Sequence, residues 1–142
     1  MILQPGFDLA ATLTFTAAGS YAGTVLSLNG GGAYRWKIGD ATSSSGEWDR
    51  VGFSGAVSIG ATAAAPFTVQ MAPVGSLGLL TGGIAGFDPS QNYNWPILTA
   101  SSITGFTAGA FVVDSSAFAT LAPDYKFSVG LDSLGSSLVL NY

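Results

Sequence analysis

Phe87–Phe106 reads FDPSQNYNWPILTASSITGF, and the order of its residue types decides the fold class. Asp88, Pro89, Ser90, Gln91 and Asn92 have the composition of a turn, because Pro presets φ and short polar side chains bond back to the nearby backbone. From Tyr93 the segment changes to alternation. Tyr93, Trp95, Ile97 and Thr99 fall on one face of an extended strand, and a second turn follows before Phe106.

The same design recurs outward from this stretch. About 60 residues earlier, Tyr34, Trp36 and Ile38 alternate with Arg35 and Lys37, which predicts one buried and one wet face. Leu9, Ala11, Leu13 and Phe15 alternate with Ala10, Thr12, Thr14 and Thr16, and a further strand is expected within Tyr21–Leu28. Asn29–Gly32 then permits the positive φ angles of a turn. Gly39–Gly46 (GDATSSSG) reads as a polar loop, Val51 with Phe53 and Val57 with Ile59 as short strands broken at Gly55, and Phe67, Val69 and Met71 as an inward face entered at Pro66. Phe111–Val113 is another short strand. A single helical turn is expected near Ser116–Leu121, and Asp132–Ser137 (DSLGSS) separates a terminal pair of strands, Lys126–Leu131 and Leu138–Tyr142.

With 142 residues, 48% hydrophobic, the chain is long enough to bury a core as one domain, and 20 glycines against only four Lys or Arg and eight Asp or Glu favour sheets joined by tight turns. The expected class is all-β. Composition admits a β-solenoid and an antiparallel β-sandwich equally. The net charge of −4, with the basic residues scattered at Arg35, Lys37, Arg50 and Lys126, offers no footprint for a nucleic-acid backbone. The N-terminal MILQPGFDLAATLTF lacks the basic start and apolar run of a signal peptide, and no run of about 18 apolar residues is present to span a membrane. An exported protein would therefore carry its address outside this segment.

The succession AYRWKI (Ala33–Ile38), WDRVGFSG (Trp48–Gly55), PFTVQM (Pro66–Met71) and then YNWPILT and ITGF resembles the C-terminal part of autotransporter-associated β-strand repeat proteins, bacterial surface or secreted proteins akin to autotransporter passengers. The resemblance runs from about Gly32 to Tyr142. Residues 1–142 are thus read as a single all-β domain, with N-terminal strands in 1–30 and a passenger-like region in 31–142. The resemblance implies a right-handed parallel β-helix or its capping region, with a structural or adhesin-like role outside the cell or on its surface, and brings no catalytic residues. An excised solenoid exposes apolar rungs and unpaired strand edges, so self-association into a filament, or contact with neighbouring repeats of a larger chain, is expected.

Without His or Cys the chain has no Ser-His-Asp triad, no thiol nucleophile and none of the usual zinc ligand sets. Glu47 and Asp49 flank Trp48. In a strand they share a face, a spacing that admits glycosidic chemistry; the plainer reading is a solvated loop end with Asp49 capping a turn. Asp88, Ser90, Asn92 and Asn94 space their oxygens like the start of a calcium loop, but Tyr93 stands where Gly is needed and Thr99 where a bidentate Glu is needed. Asp88 is then a weak metal candidate, better read as a turn initiator. No metal or other cofactor is expected, and no enzymatic activity. The alternative function is a carbohydrate-binding or adhesive module, for which Trp48 with Asp49 is the candidate glycan contact. Tyr34, Trp36, Tyr93 and Trp95 are expected as rung aromatics of the core.

Overall fold

In the computed structural model the described residues are 2–3, 12–15, 25–42, 47–75, 78–79, 84–117 and 126–142. The chain runs through β1 (Ile2–Leu3), β2 (Thr12–Phe15), β3 (Val25–Leu28), β4 (Ala33–Ile38), β5 (Arg50–Phe53) and β6 (Ala56–Ile59). It continues through β7 (Phe67–Gly75), β8 (Gly78–Leu79), β9 (Asn94–Thr99), β10 (Ser102–Thr104), β11 (Phe111–Asp114), β12 (Ser128–Leu131) and β13 (Ser137–Asn141). The fold is all-β. Its one helical element among the described residues is a 3₁₀ turn at Ala108–Ala110. The helical turn expected at 116–121 falls mostly outside them, with Ser116 and Ala117 in a plain turn.

Successive strands are dealt in rotation to three sheets. Sheet I has the order β1-β4-β7-β11 with β8 attached to β7, sheet II the order β12-β13-β9-β5-β2, and sheet III the order β10-β6-β3. Within sheets I and III, and from β2 through β5 to β9 in sheet II, these strands pair in parallel. Antiparallel pairing is confined to β8 on β7 and to β12 and β13, which add to β9.

The register explains why alternation specifies this arrangement. Direct partners in a ladder keep the same face, so apolar residues align in columns: Leu3, Tyr34, Val69 and Val113 in sheet I, Val51, Leu98 and Leu138 in sheet II, and Leu26, Val57 and Ile103 in sheet III. Most of these side chains are buried and all join one hydrophobic cluster. A one-residue slip would turn a whole column to solvent, so burial fixes the pairing. The junctions are unequal. Ser54–Gly55 and Ala100–Ser101 suffice between sheets II and III, whereas the passages from sheet I to sheet II occupy residues 39–49 and 80–93.

Candidate functional site

The candidate site residues Trp48, Asp49 and Asp88 lie in the two long passages between sheets I and II. Lys37, expected on a wet face, is fully buried, and so is Asp49, expected at a solvated loop end. Both expectations are corrected by the chain's return path. Beyond β4 the backbone folds back so that Ile38 and Trp48 form an antiparallel bridge, and the Asp49 N–H donates to the Lys37 carbonyl at 2.8 Å. Asp49 Oδ2 accepts from Lys37 Nζ at 2.8 Å and from the Lys37 backbone N–H at 3.1 Å, and the Asp49 carbonyl accepts from Trp36 Nε1 at 2.9 Å. A buried carboxylate and ammonium are tolerated because each neutralises the other, and the Lys37 backbone N–H gives the carboxylate a second donor. Burial, and secondarily the nearby Asp49 carboxylate, raise the Tyr34 phenol well above its ordinary range. Glu47 is exposed, so the two acids do not face one substrate.

Trp48 is half-buried, and its ring is engaged by the protein itself. The Arg50 guanidinium carbon lies 4.7 Å from its ring centroid, and its Nε1 donates to the Pro96 carbonyl at 3.1 Å. This bond has a local cause: β5 pairs with β9 only at Leu98 and Thr99, so the Pro96 carbonyl lies beyond that ladder. Asp88 likewise serves its own turn. Its Oδ1 accepts from the Ser90 N–H at 2.9 Å and Ser90 Oγ at 2.7 Å, bonds that hold its carboxyl below the usual range, the hydroxyl contributing most. Tyr93 Oη accepts from the Asp88 N–H at 2.8 Å and donates to the Gly86 carbonyl at 3.1 Å. Among the described residues, no three His, Cys, Asp or Glu side chains come together as a metal site would require.

Trp36 and Trp95 meet in the core with ring centroids 5.6 Å apart, and Tyr93 stacks on Trp95 at 5.0 Å. Tyr34 is buried, with its hydroxyl 3.4 Å from the Ile97 carbonyl. Sequence reasoning missed the rest of this aromatic group. Phe87, Phe127 and Tyr142 join it through contacts of 5.3 Å between Phe87 and Tyr93, 5.0 Å between Phe87 and Tyr142, and 4.6 Å between Phe127 and Tyr142. Phe127 and Tyr142 extend the alternation of β12 and β13 by one position (Phe127, Val129 and Leu131; Leu138, Leu140 and Tyr142), whereas Phe87 lies between β8 and β9 and its only signal is an aromatic beside a turn.

The sheet edges form the remaining candidate surface, and the two ends of the ladder differ. Among the described residues β1, β2 and β3 are the end strands of their sheets on one side, and β11, β12 and β10 on the other. At the opposite end the β12–β13 hairpin lies along β9, and its loop reaches across to sheet III: the Gly135 carbonyl accepts from the Ile103 N–H and the Ser136 carbonyl from the Ala100 N–H, both at 2.8 Å. Asp132 shapes that loop, its carboxylate accepting from the Ser136 and Ser137 amides at 2.7 and 2.9 Å. Comparison with protein-family models, curated proteins and solved structures finds no match. The residues therefore carry the functional reading alone. Lys37, Asp49, Trp48 and Asp88 all bond to other parts of the same chain.

Proposed function

We propose that the chain is a non-enzymatic structural module of an extracellular or surface-exposed bacterial protein, built as a right-handed parallel β-solenoid that forms stalk-like material by association at its coil ends. The observation that carries this reading is the dealing order: β4, β5 and β6 pair in parallel with β1, β2 and β3, and β7, β9 and β10 pair in parallel with them in turn. A chain that returns to the same sheet every third strand winds as a coil, whereas a sandwich of antiparallel neighbours does not need that rotation. Right-handed winding follows from the strong preference of parallel crossovers for that hand. The bacterial surface setting is taken from the sequence resemblance of Ala33–Ile38, Trp48–Gly55 and Pro66–Met71 to autotransporter-associated repeats.

A solenoid coil leaves backbone donors and acceptors at its ends, and those groups attract another strand from the same chain, a longer chain or a second copy. Sedimentation across a concentration series, with electron microscopy and proteinase K digestion of the same samples, tests the proposal. Association rising with concentration, together with a protease-resistant core, is the expected result. Monodisperse, readily digested monomers at every concentration would overturn it.

A further inference from the structure

The chain has four asparagines, Asn29, Asn92, Asn94 and Asn141, and the fold treats the first unlike the rest. An asparagine side chain is labile where the backbone nitrogen of the next residue can reach its amide carbon. That attack needs an accessible side chain, a following N–H that no carbonyl holds, and little bulk on the following residue.

The Tyr93 N–H, after Asn92, donates to the Tyr142 carbonyl at 3.0 Å, and the Tyr142 N–H, after Asn141, donates to the Tyr93 carbonyl at 3.0 Å. Trp95, after Asn94, lies in the β9–β13 ladder, and the Asn94 side-chain amide donates to Asn141 Oδ1 at 2.7 Å. All three asparagines precede an aromatic residue. Asn29 precedes Gly30 and opens a turn in which the Gly32 N–H donates to the Asn29 carbonyl at 3.1 Å, with φ +74° at Gly31. A turn of this type leaves the N–H of its second residue, here Gly30, unused. Among the described residues neither that N–H nor the Asn29 side-chain amide has a hydrogen-bond partner. Both residues are exposed, and they line an open cleft with Ser27 and Phe67 that admits water.

We propose that Asn29–Gly30 is a site of spontaneous deamidation, which converts Asn29 to aspartate and isoaspartate and loosens the corner between β3 and β4. The Gly30 nitrogen bonds to Asn29 Cγ and gives up its proton, the Cγ–Nδ2 bond breaks, and ammonia leaves a succinimide behind. Water then opens that ring at one of its two carbonyls. Opening at Cγ restores the ordinary main chain as aspartate. Opening at the main-chain carbon leaves Gly30 joined through Cγ, which adds a methylene to the backbone and frees a carboxylate.

The corner has little slack for that methylene. The Gly31 N–H donates to the Pro66 carbonyl and the Thr68 N–H to the Gly32 carbonyl, both at 3.0 Å, so the turn is tied to the entry of β7. A Cβ at Gly30 would lie 2.7 Å from Ala65 Cβ, and one at Gly32 2.6 Å from the Phe67 ring. Lengthening the chain here displaces groups already in close contact.

To test this, the folded chain is held in mildly alkaline buffer beside Asn29→Gln and a urea-unfolded sample. Glutamine must close a larger ring, so the variant keeps an amide and blocks the reaction. Peptide mapping with fragmentation that separates aspartate from isoaspartate reads every asparagine, and melts are recorded after return to neutral buffer. The expected result is loss of the Asn29 amide with isoaspartate among the products, retention of the amides at Asn92, Asn94 and Asn141, and a melting temperature that falls by a few degrees with time in the original chain but not in Asn29→Gln. An Asn29 amide that survives in the folded chain and is lost in urea would overturn the proposal, as would equally fast loss at another asparagine of the folded chain. Aspartate as sole product, or conversion without a fall in melting temperature, would overturn the loosening of the corner.

Discussion

Asp49 is the residue on which most of the polar interior depends. Removing its charge leaves the Lys37 ammonium buried without its carboxylate, and loss of one partner from a buried pair costs about 3–5 kcal/mol. Asp49→Ala should therefore lower the urea midpoint by that equivalent, while Lys37→Met combined with Asp49→Leu should recover much of the loss, because two apolar chains leave no unpaired charge. A double variant no more stable than Asp49→Ala would show that the backbone bonds to Asp49, and not charge balance, dominate. The alternation of Tyr34, Trp36 and Ile38 makes the buried face of β4 legible in the sequence. Lys37 is not legible in the same way: its position opposite that face is clear, but its burial depends on a segment that returns 12 residues later, and period-two patterning carries no information about what covers the second face.

At the level of elements, strands and turns are easier to read than their partners. Gly105 sits at the corner after β10 with φ +75°, and a Cβ there would lie 2.5 Å from the Ile59 carbonyl oxygen, a backbone atom that cannot rotate away. Gly135, in the hairpin loop, has φ +68° but open space around the same position. Gly105→Ala should accordingly cost about 1–3 kcal/mol from backbone strain and more from the clash, against about 1 kcal/mol for Gly135→Ala, a difference visible in thermal melts. Equal shifts would mean that the corner relaxes. The turn at DSLGSS and the strands on either side follow from composition. That the last strand then inserts between β12 and β9 does not, since an antiparallel addition and a further parallel rung share the same alternation. The ladder shift between Leu138 and Val139, opposite Leu98 and Pro96, is the one place where Pro96 gives a hint, because proline in a strand favours an irregular site.

For the whole molecule, composition and turn rhythm make the all-β class plain, and the dispersed carboxylates shape its response to pH. Ser90, Ser116 and the Ser136–Ser137 pair donate to Asp88, Asp114 and Asp132 and hold all three below the usual 3.8; hydroxyl bonds contribute most for the first two and backbone amides for the third. Their stabilisation is present above pH 3.8 and is lost as the pH falls through the depressed folded-state values. Tyr34 acts in the opposite direction. Its phenol is raised, chiefly by burial, so its contribution is complete below pH 10.0 and is lost as the pH rises above it. With no histidine, the melting temperature should be nearly flat from about pH 5 to 9, fall on both sides, and fall less on the alkaline side in Tyr34→Phe. An alkaline limb unchanged in that variant would place its origin elsewhere. The β12–β13 hairpin also makes the molecule directional under load. A threading protease or unfoldase that grips the C-terminus meets β13 held on both sides, by β12 and β9, and must break two ladders at once; one that grips the N-terminus meets β1 held by β4 alone among the described residues and can unwind the chain strand by strand.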